Sequence, residues 1–473
     1  MDGRSEPSRL GIILDRTQAM PLPCQISATL RDAILSGRLP PGSRLPSWLD
    51  MATQLGVARG TVKTAYERLA DEGLVVSAGA SGTRVAHNTA PPQPLPNITI
   101  RRPLSGIMQG YSLPPLPFQI GVPAQDAFPY KLWARIRTRA VRDDAMAPVS
   151  HPDPRGNPEL RARIASYVAI ARSISCLPDQ ILVTSGYYNG LALALRALGL
   201  RGQSVWMEEP GNPITRMGLE LDGMRIVTVP VDAEGLIVEE GIARARDAAL
   251  VVVTPGQQAP TGVPLSAARR QALLQWASDN GSWIIEDDCL SELQLSGRVA
   301  PALSATDPAA RVIHVGCFGQ TLNPALGLGY VVAPLELAER FGEIAACLQP
   351  APNTTSQLAF AAFLANGHYL RHLRHMKRIY AERRDMLLKT LDADFAETTM
   401  AGLAIIGHLP RHMDDVRLAQ SALDHDIAPM PLSAWWHERE QATHGLLLSV
   451  TNLKSSVLAK ACRSLKEVVR AAA

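Results

Sequence analysis

A proline-rich stretch at residues 89–117, TAPPQPLPNITIRRPLSGIMQGYSLPPLP, decides how this chain can fold. Proline fixes φ and carries no N–H, so such a run enters neither a helix interior nor a central strand. It reads as a semi-rigid extended linker between a small unit at about 10–88 and a large one at about 118–473. Over the 473 residues, hydrophobic side chains make up 46% and charged ones 19%. That balance excludes wholesale disorder and leaves apolar material for a core on each side of the linker. No apolar run approaches the roughly 18 residues of a membrane span. The first residues are polar, with no secretory h-region. The six cysteines are scattered without a CxxC pair, so neither a disulfide framework nor a structural zinc site is expected. The expected location is the cytoplasm. With a net charge of only +3, nucleic-acid binding has to come from a local patch.

In the small unit, Ile26, Leu30 and Ile34 recur at helical spacing, which predicts a helix over 25–36 stopped by Gly37. A short helix at 48–55 ends at Gly56. A second, over 58–72, turns Val62, Tyr66 and Leu69 inward and stops at Gly73. Strands at 74–77 and 83–86 flank a hairpin turn at 79–82. Helix, Leu55-Gly56-Val57 turn, helix is helix-turn-helix spacing. The second helix opens Ala58-Arg59-Gly60-Thr61-Val62-Lys63-Thr64, the small and polar residues that a recognition helix presents to the major groove. Arg59 can grip a guanine edge bidentately. Thr61, Lys63 and Thr64 suit phosphates, which position without specifying. Arg84 on the hairpin would reach the DNA backbone or minor groove, and Arg44 and Ser47 are further candidate contacts.

The run from QISATLRDAILSG to GASGTRV, residues 25–85, resembles the GntR family of winged-helix regulators over its whole length. The resemblance implies a double-stranded DNA operator as partner. There are two departures. Leu49 stands where the family usually has an arginine, and Ala78 stands near a second such position at the hairpin.

Beyond 117 the pattern alternates. Strand candidates lie at 181–184, 204–207, 225–229, 250–254, 283–286, 312–315 and 328–332, with helical patterns such as 190–198 and 266–279 between most of them. Continuous Val/Ile runs such as 250–253 mark strands buried on both faces. This predicts an α/β domain with a mostly parallel sheet over 118–334. Ligands in such sheets bind beyond the carboxyl ends of the strands, which here carry TSG, EEPGN, TPGQQAPTG, EDD and CFGQ. After 334 the chain turns helical through 369–391, then forms a small α+β segment to 473.

With FQIGVPAQDAFPYKLWARI and HPDPRGNPELRARIASYV, those strand ends resemble the fold-type I aminotransferases over nearly all of 118–473. Winged helix, linker and this domain together resemble the MocR subgroup of GntR regulators. That resemblance implies a domain that binds pyridoxal phosphate (PLP), an amino-group effector and a head-to-tail homodimer. The site residues depart from it. A Schiff base with PLP needs a lysine amine. Gln320 stands at the family's lysine, and no lysine occurs between 132 and 376. Gly327 and Asn452 replace arginines that bind a ligand carboxylate. Asp287 keeps the aspartate that meets the ring nitrogen. Cys289, however, replaces the phenol at the ring oxygen, Gln257 the His or Asn there, Asn212 the aromatic after EEPG, and Tyr187 the small hydroxyl that binds phosphate.

The chain is therefore expected to be a multidomain regulator. It would consist of a winged helix-turn-helix at 10–88, a linker at 89–117, an aminotransferase-like large domain at 118–334 and a small C-terminal domain at 335–473. The aminotransferase-like domain is expected to lack PLP and catalysis, and to serve for dimerisation and as a repurposed effector pocket. A regulator that holds PLP non-covalently through Asp287 and a true aminotransferase are the alternatives. No metal site is expected. His368, His372 and His375 share helical spacing but sit among Arg371, Arg374 and Lys377, which points to a basic, exposed helix face. Glu286-Asp287-Asp288 reads either as a relic cofactor contact or as a solvated acidic strand end. Cys289 and Cys317, at neighbouring strand ends, read either as a thiol pair or as two small hydrophobes.

Overall fold

The computed structural model describes residues 12–18, 20–77, 82–87, 115–348, 350–391, 395 and 397–472. The chain falls into two units, Met1–Pro103 and Leu104–Ala473. The expected linker lies outside the described residues as far as 114, as do residues 79–81 of the wing turn.

In the first unit, α1 (Leu22–Leu35) carries Pro23 in its first turn, where a missing N–H costs no hydrogen bond. Its Ile26, Leu30, Ala33 and Ile34 are buried. Helix α2 (Trp48–Leu55) starts on Ser47, whose Oγ accepts from the Asp50 N–H at 3.0 Å. It ends on Gly56 in the left-handed region, φ 62°, where glycine costs least. Helix α3 (Arg59–Asp71) buries Val62, Ala65, Tyr66 and Leu69. The Tyr66 hydroxyl donates to the Pro46 carbonyl at 2.9 Å, which fixes α3 against the loop before α2. Strands β1 (Val75–Ser77) and β2 (Thr83–Val85) pair antiparallel, Val76 opposite Arg84. Val75 and Val85 close the same apolar core as Ile26, Leu30 and Leu69.

The second unit opens with α4 (Tyr130–Met146) and α5 (Pro158–Arg172). A βα succession follows: β3 (Ile181–Thr184), α6 (Tyr187–Leu198), β4 (Ser204–Glu209), α7 (Pro213–Leu221), β5 (Arg225–Asp232), β6 (Gly235–Leu236), α8 (Val238–Ala245), β7 (Leu250–Val253), α9 (Ala267–Asn280), β8 (Trp283–Asp287), β9 (Val312–Cys317) and β10 (Gly329–Val332). These strands form one sheet in the order β3-β10-β9-β8-β7-β4-β5-β6. From β9 through β5 the pairing is parallel, while β10 runs antiparallel to β3 and β9, and β6 antiparallel to β5. All seven expected strands are present, and β7 is buried at every residue, as its unbroken LVVV run requires.

Helices α10 (Ala338–Leu348) and α11 (Thr354–Ala365) pack on this α/β layer, α10 on α6 and α11 on α4 and α5. The long α12 (His368–Thr390) leads to a four-stranded antiparallel sheet, β11-β12-β14-β13, with β11 (Glu397–Ala401), β12 (Ala404–His408), β13 (Met430–Pro431) and β14 (Gly445–Ser449). Helices α13 (Asp415–Leu423) and α14 (Ser455–Ala472) complete it. Short or half-exposed strands such as β11 carry no continuous apolar run, so only an α+β character was legible there.

The acidic triplet at the end of β8 is not a solvated strand end. Glu286 and Asp288 are buried, and strand alternation sends both to one face. There Arg172, 1% exposed at its side chain, grips Asp288 through Nε (2.5 Å) and Nη2 (3.0 Å). His314 Nδ1 lies 3.0 Å from Glu286, which also accepts the N–H groups of Leu303 and Ser304. Burial alone would raise the Glu286 pKa, but the His314 contact, the Leu303 N–H and the Arg172 charge hold it below the ordinary carboxylate value. Removing one partner of such a network strands a buried charge, at a cost of about 3–5 kcal/mol. Arg172→Met should therefore lower the chemical-denaturation stability of the second unit by about that amount. Arg172→Met with Asp288→Leu should recover most of the loss. A single Arg172→Met variant as stable as the parent would show that the network is not what holds α5 to β8.

Candidate functional site

Two surfaces carry chemistry. The first is α3. Its buried stripe leaves Arg59, Gly60, Lys63 and Thr64 exposed and Thr61 half-buried on the opposite side. Ala58 at the N-cap offers no side-chain acceptor, so the first N–H groups of the helix face outward with the positive end of its dipole. Lys63 has only an exposed partner one turn on, Glu67 at 3.7 Å. On the hairpin, Arg84 is exposed and donates Nη1 to the Gly42 carbonyl at 2.9 Å. Arg44 bridges to Arg84 in backbone pairing, and its guanidinium lies so close over Gly82, φ 86°, that a Cβ there would meet Nε at 3.1 Å. Ser47 spends its hydroxyl on the α2 cap. Leu49 stands exposed on the first turn of α2.

The second surface is the group of strand ends of the α/β layer. Gly186, φ 105°, turns the chain from β3 into α6, and Tyr187 follows with its ring buried. Its hydroxyl does not stop at the helix terminus. It lies 3.4 Å from Thr215 Oγ1 on α7, and the ring lines one small cavity with Asp287 at the end of β8. Asp287 also accepts the Cys289 N–H at 3.2 Å. Burial pushes the Asp287 pKa up to about 6. The cavity left among Tyr187, Asn212, Thr215, Thr254 and Asp287 measures about 10 Å³, room for a single water.

One donor before the α6 N-terminus is taken by the chain itself. The Ser185 N–H donates to Asn189 Oδ1 at 3.0 Å. Asn212 caps α7, its Oδ1 accepting from Ile214 and Thr215 at 2.9 and 3.3 Å, and reaches Tyr188 Oη with its Nδ2 at 3.3 Å. Asn452 donates to the Leu116 carbonyl. Gly327, φ 53°, ends a single 3-10 turn, Pro324–Leu326, with no atom within 4 Å of where a Cβ would stand.

The structure does not bring Gln257 into this cluster. It lines a second cavity of about 320 Å³ with Gln294, Ser296, Met400 and Gly402. Its neighbour Gln258 is the buried one, with its amide on the Pro210 carbonyl at 2.7 Å. The basic-face reading of α12 also fails at one residue. His372 is buried, and its Nε2 sits 2.9 Å from the Thr321 carbonyl. Among the described residues no three His, Cys, Asp or Glu side chains cluster as a metal site, and no helix is long and apolar enough to cross a membrane. Thr215, the partner of Tyr187, lies on an element whose position across the sheet no local pattern reveals.

Comparison with known proteins fits this two-part build. The aminotransferase class I and II profile matches residues 130–438. The profile of bacterial regulatory proteins of the gntR family matches 24–85. The probable rhizopine catabolism regulatory protein MocR of Rhizobium meliloti is 32% identical, covering 96% of this chain and 95% of its own length. The pyridoxine biosynthesis transcriptional regulator PdxR of Corynebacterium glutamicum is 33% identical over 81% of each chain. A kynurenine aminotransferase from Pyrococcus horikoshii superposes with a TM-score of 0.69 at 22% identity, covering 77% of this chain and 93% of its own; a likeness that distant bears on the fold alone. Two profiles matched in this order, and a relative this similar along almost the whole length, place the chain in the GntR family of transcriptional regulators, among the MocR-type members that join a winged helix-turn-helix to an aminotransferase-like unit.

Proposed function

We propose that this regulator reads a double-stranded operator with the exposed side of α3, and that its aminotransferase-like unit neither binds PLP covalently nor catalyses transamination. For DNA, the supporting observation is the clean division of α3 into a buried stripe and a polar, outward N-terminal half. Arg59 then reaches a base edge, and Lys63 exchanges its exposed Glu67 partner for a phosphate. Thr61, Thr64, Arg44 and Arg84 add backbone contacts. Arg59→Ala should weaken binding at the cognate site by ~1–3 kcal/mol and relax sequence preference. Lys63→Ala should weaken all sequences alike and flatten the salt dependence. Wild-type footprinting by Arg59→Ala on the native promoter would place the recognition surface elsewhere.

For the second unit, the observation that carries the reading is Tyr187, whose buried ring lines the same small cavity as Asp287. The residues present do not fit PLP. Gln320 offers an amide where an amine is needed. The Asp287 carboxyl is engaged. The Ser185 N–H, at the start of the turn that could cradle a phosphate, is taken by Asn189. A space of about 10 Å³ is far below the ~300 Å³ at which small-molecule sites begin. The cavity at Gln257, of about 320 Å³, is the better candidate for an effector. Purified protein incubated with PLP and then borohydride should carry no pyridoxyl label at any residue between 132 and 376. Gln320→Lys should gain slow labelling at most and no transamination. Tight PLP binding by the wild type, or efficient turnover by that single variant, would overturn this reading.

The second unit also supplies the proposed homodimer. Tyr130, Val141 and Met146 stay exposed along α4, apolar surface of the kind that marks an interface. A chain beginning at Leu116 should remain folded and sediment as a dimer at micromolar concentration. A strictly monomeric or unfolded product would count against it.

A further inference from the structure

Charge is spread unevenly over this chain. Its net value is only +3, yet residues 130–142 hold five Lys and Arg and no Asp or Glu. Residues 354–381 hold four Lys and Arg and again no acid. The first stretch lies in α4, and the second spans α11 and the first part of α12. Helix α11 packs against both of the others. The Phe363 ring on α11 stands 5.5 Å from Trp133 on α4 and 5.5 Å from His368 at the start of α12. The two basic helices thus meet across one aromatic side chain. Burial and the charges of Arg371 and Arg135 push the His368 pKa down, in keeping with that proximity.

On α12 the buried side carries Tyr369, His372, Leu373, Met376 and Tyr380. The opposite stripe is Arg371, Arg374 and Arg378, all exposed. Like charges three and four residues apart destabilise a helix. The first turn holds no acidic residue and Gly367 supplies no side-chain cap, so the positive end of the helix dipole adds to the same excess. Arg371 donates to the Asn366 carbonyl at 2.8 Å, a neutral acceptor that leaves its charge unmatched. Arg374 makes no ion pair or hydrogen bond among the described residues.

Other exposed arginines of the chain have an acid one turn away, as Arg163 has Glu159, Arg244 has Glu240 and Arg417 has Asp414. On this surface only Arg139 and Arg378 do, with Asp143 at 3.7 Å and Glu382 at 3.0 Å. On α4, Lys131, Arg135 and Arg142 are exposed and recur at i, i+4 and i+11, one stripe of the helix. Tyr130 and Val141, also eleven residues apart, fall on another stripe about 100° round. The apolar residues of the proposed dimer contact therefore leave the basic stripe clear. An array of cations that repel one another, with no acid among them, gains only from an anion outside the chain.

We propose that this basic surface of α4 and α12 binds duplex DNA through its phosphates without reading sequence, adding contacts beyond the base pairs that α3 reads. Residues three and four apart on a helix stand about 5–6 Å from one another, comparable with successive phosphates on one strand, and each arginine can fork onto a phosphate. Duplex DNA is favoured over other polyanions because the same chain carries a gntR-type helix-turn-helix. Its α3 offers one arginine and one lysine on the outward side, and so few cations neutralise few phosphates. The inference rests on the reading that α3 binds an operator.

The test uses the full-length protein with two duplexes of equal length, the native promoter fragment and a scrambled version, and follows binding by fluorescence anisotropy across a salt series. The variant combining Arg371→Gln, Arg374→Gln and Arg378→Gln should lose affinity for both duplexes alike. Its fall in affinity between 50 and 200 mM salt should be smaller than the wild type's by about 10- to 40-fold, since each phosphate contact accounts for about threefold of that fall. Replacing the same three residues by lysine keeps the charge and should keep most of the salt dependence. Should the glutamine triple fail to fold, Arg135→Gln with Arg142→Gln on α4 decides in the same way. Arg59→Ala separates the two readings. If it leaves promoter binding unchanged, the α3 reading fails, and the scrambled duplex still judges this surface. Wild-type salt dependence in the glutamine variants on both duplexes overturns the proposal, and a loss of heparin binding alone would assign the surface to another polyanion and overturn it too.

Discussion

Strand alternation at the end of β8 sets the electrostatics of everything around it. Three consecutive carboxyls cannot share one buried face, and period two sends Glu286 and Asp288 to one side and Asp287 to the other. On the first side the charges are matched by Arg172 and His314 and by the N–H groups of Leu303 and Ser304. On the second, Asp287 accepts the neutral Cys289 N–H and lines a small cavity with Tyr187. The parity carries over to β9, where His314 joins the ionised side and Cys317 the other. Gly316 keeps that pattern tight. A Cβ there would sit 2.2 Å from the Tyr330 ring, and Tyr330 packs beside His314.

Several of the strand-end positions make intramolecular contacts. Tyr187 reaches Thr215, Asn212 caps α7, and Asn452 ties down the Leu116 carbonyl. A ligand that binds only the native state adds to its stability, and on the proposed reading these contacts stand in for one.

Much of this was legible in the sequence, for physical reasons that also mark where legibility ends. Seven of the eight strands of the main sheet were visible because burial demands apolar runs, the two-residue β6 (Gly235–Leu236) being too short to show one, and α3 because its stripe is regular. The hairpin strands and the polar start of α3 followed from turn glycines and spacing. What escaped depends on tertiary placement. Tyr187 was expected to fill a phosphate position, but its contact with Thr215 depends on where α7 crosses. In the loop TPGQQAPTG, sequence could not say which glutamine turns inward, and the structure buries Gln258 and sets Gln257 in the other cavity. His372 shares a helical spacing with two exposed neighbours, yet the Thr321 carbonyl and the packing of α12 draw it inside.

The same division of labour runs through the DNA-binding unit. The polar half of α3 offers one arginine, one lysine and two threonines, and the whole chain carries a net charge of only +3. Few phosphates are neutralised by so small a patch, and non-specific affinity grows with the number of phosphate contacts. The exposed Lys63–Glu67 pair is worth little in water, so exchanging Glu67 for a phosphate costs little. Two linked copies of a weak binding module bind with the product of two contacts raised by their effective concentration. On the proposed reading, in which the second unit pairs the chains, tight operator binding depends on that pairing as much as on α3, and an aminotransferase-like body has a physical use in regulation that asks for no catalysis.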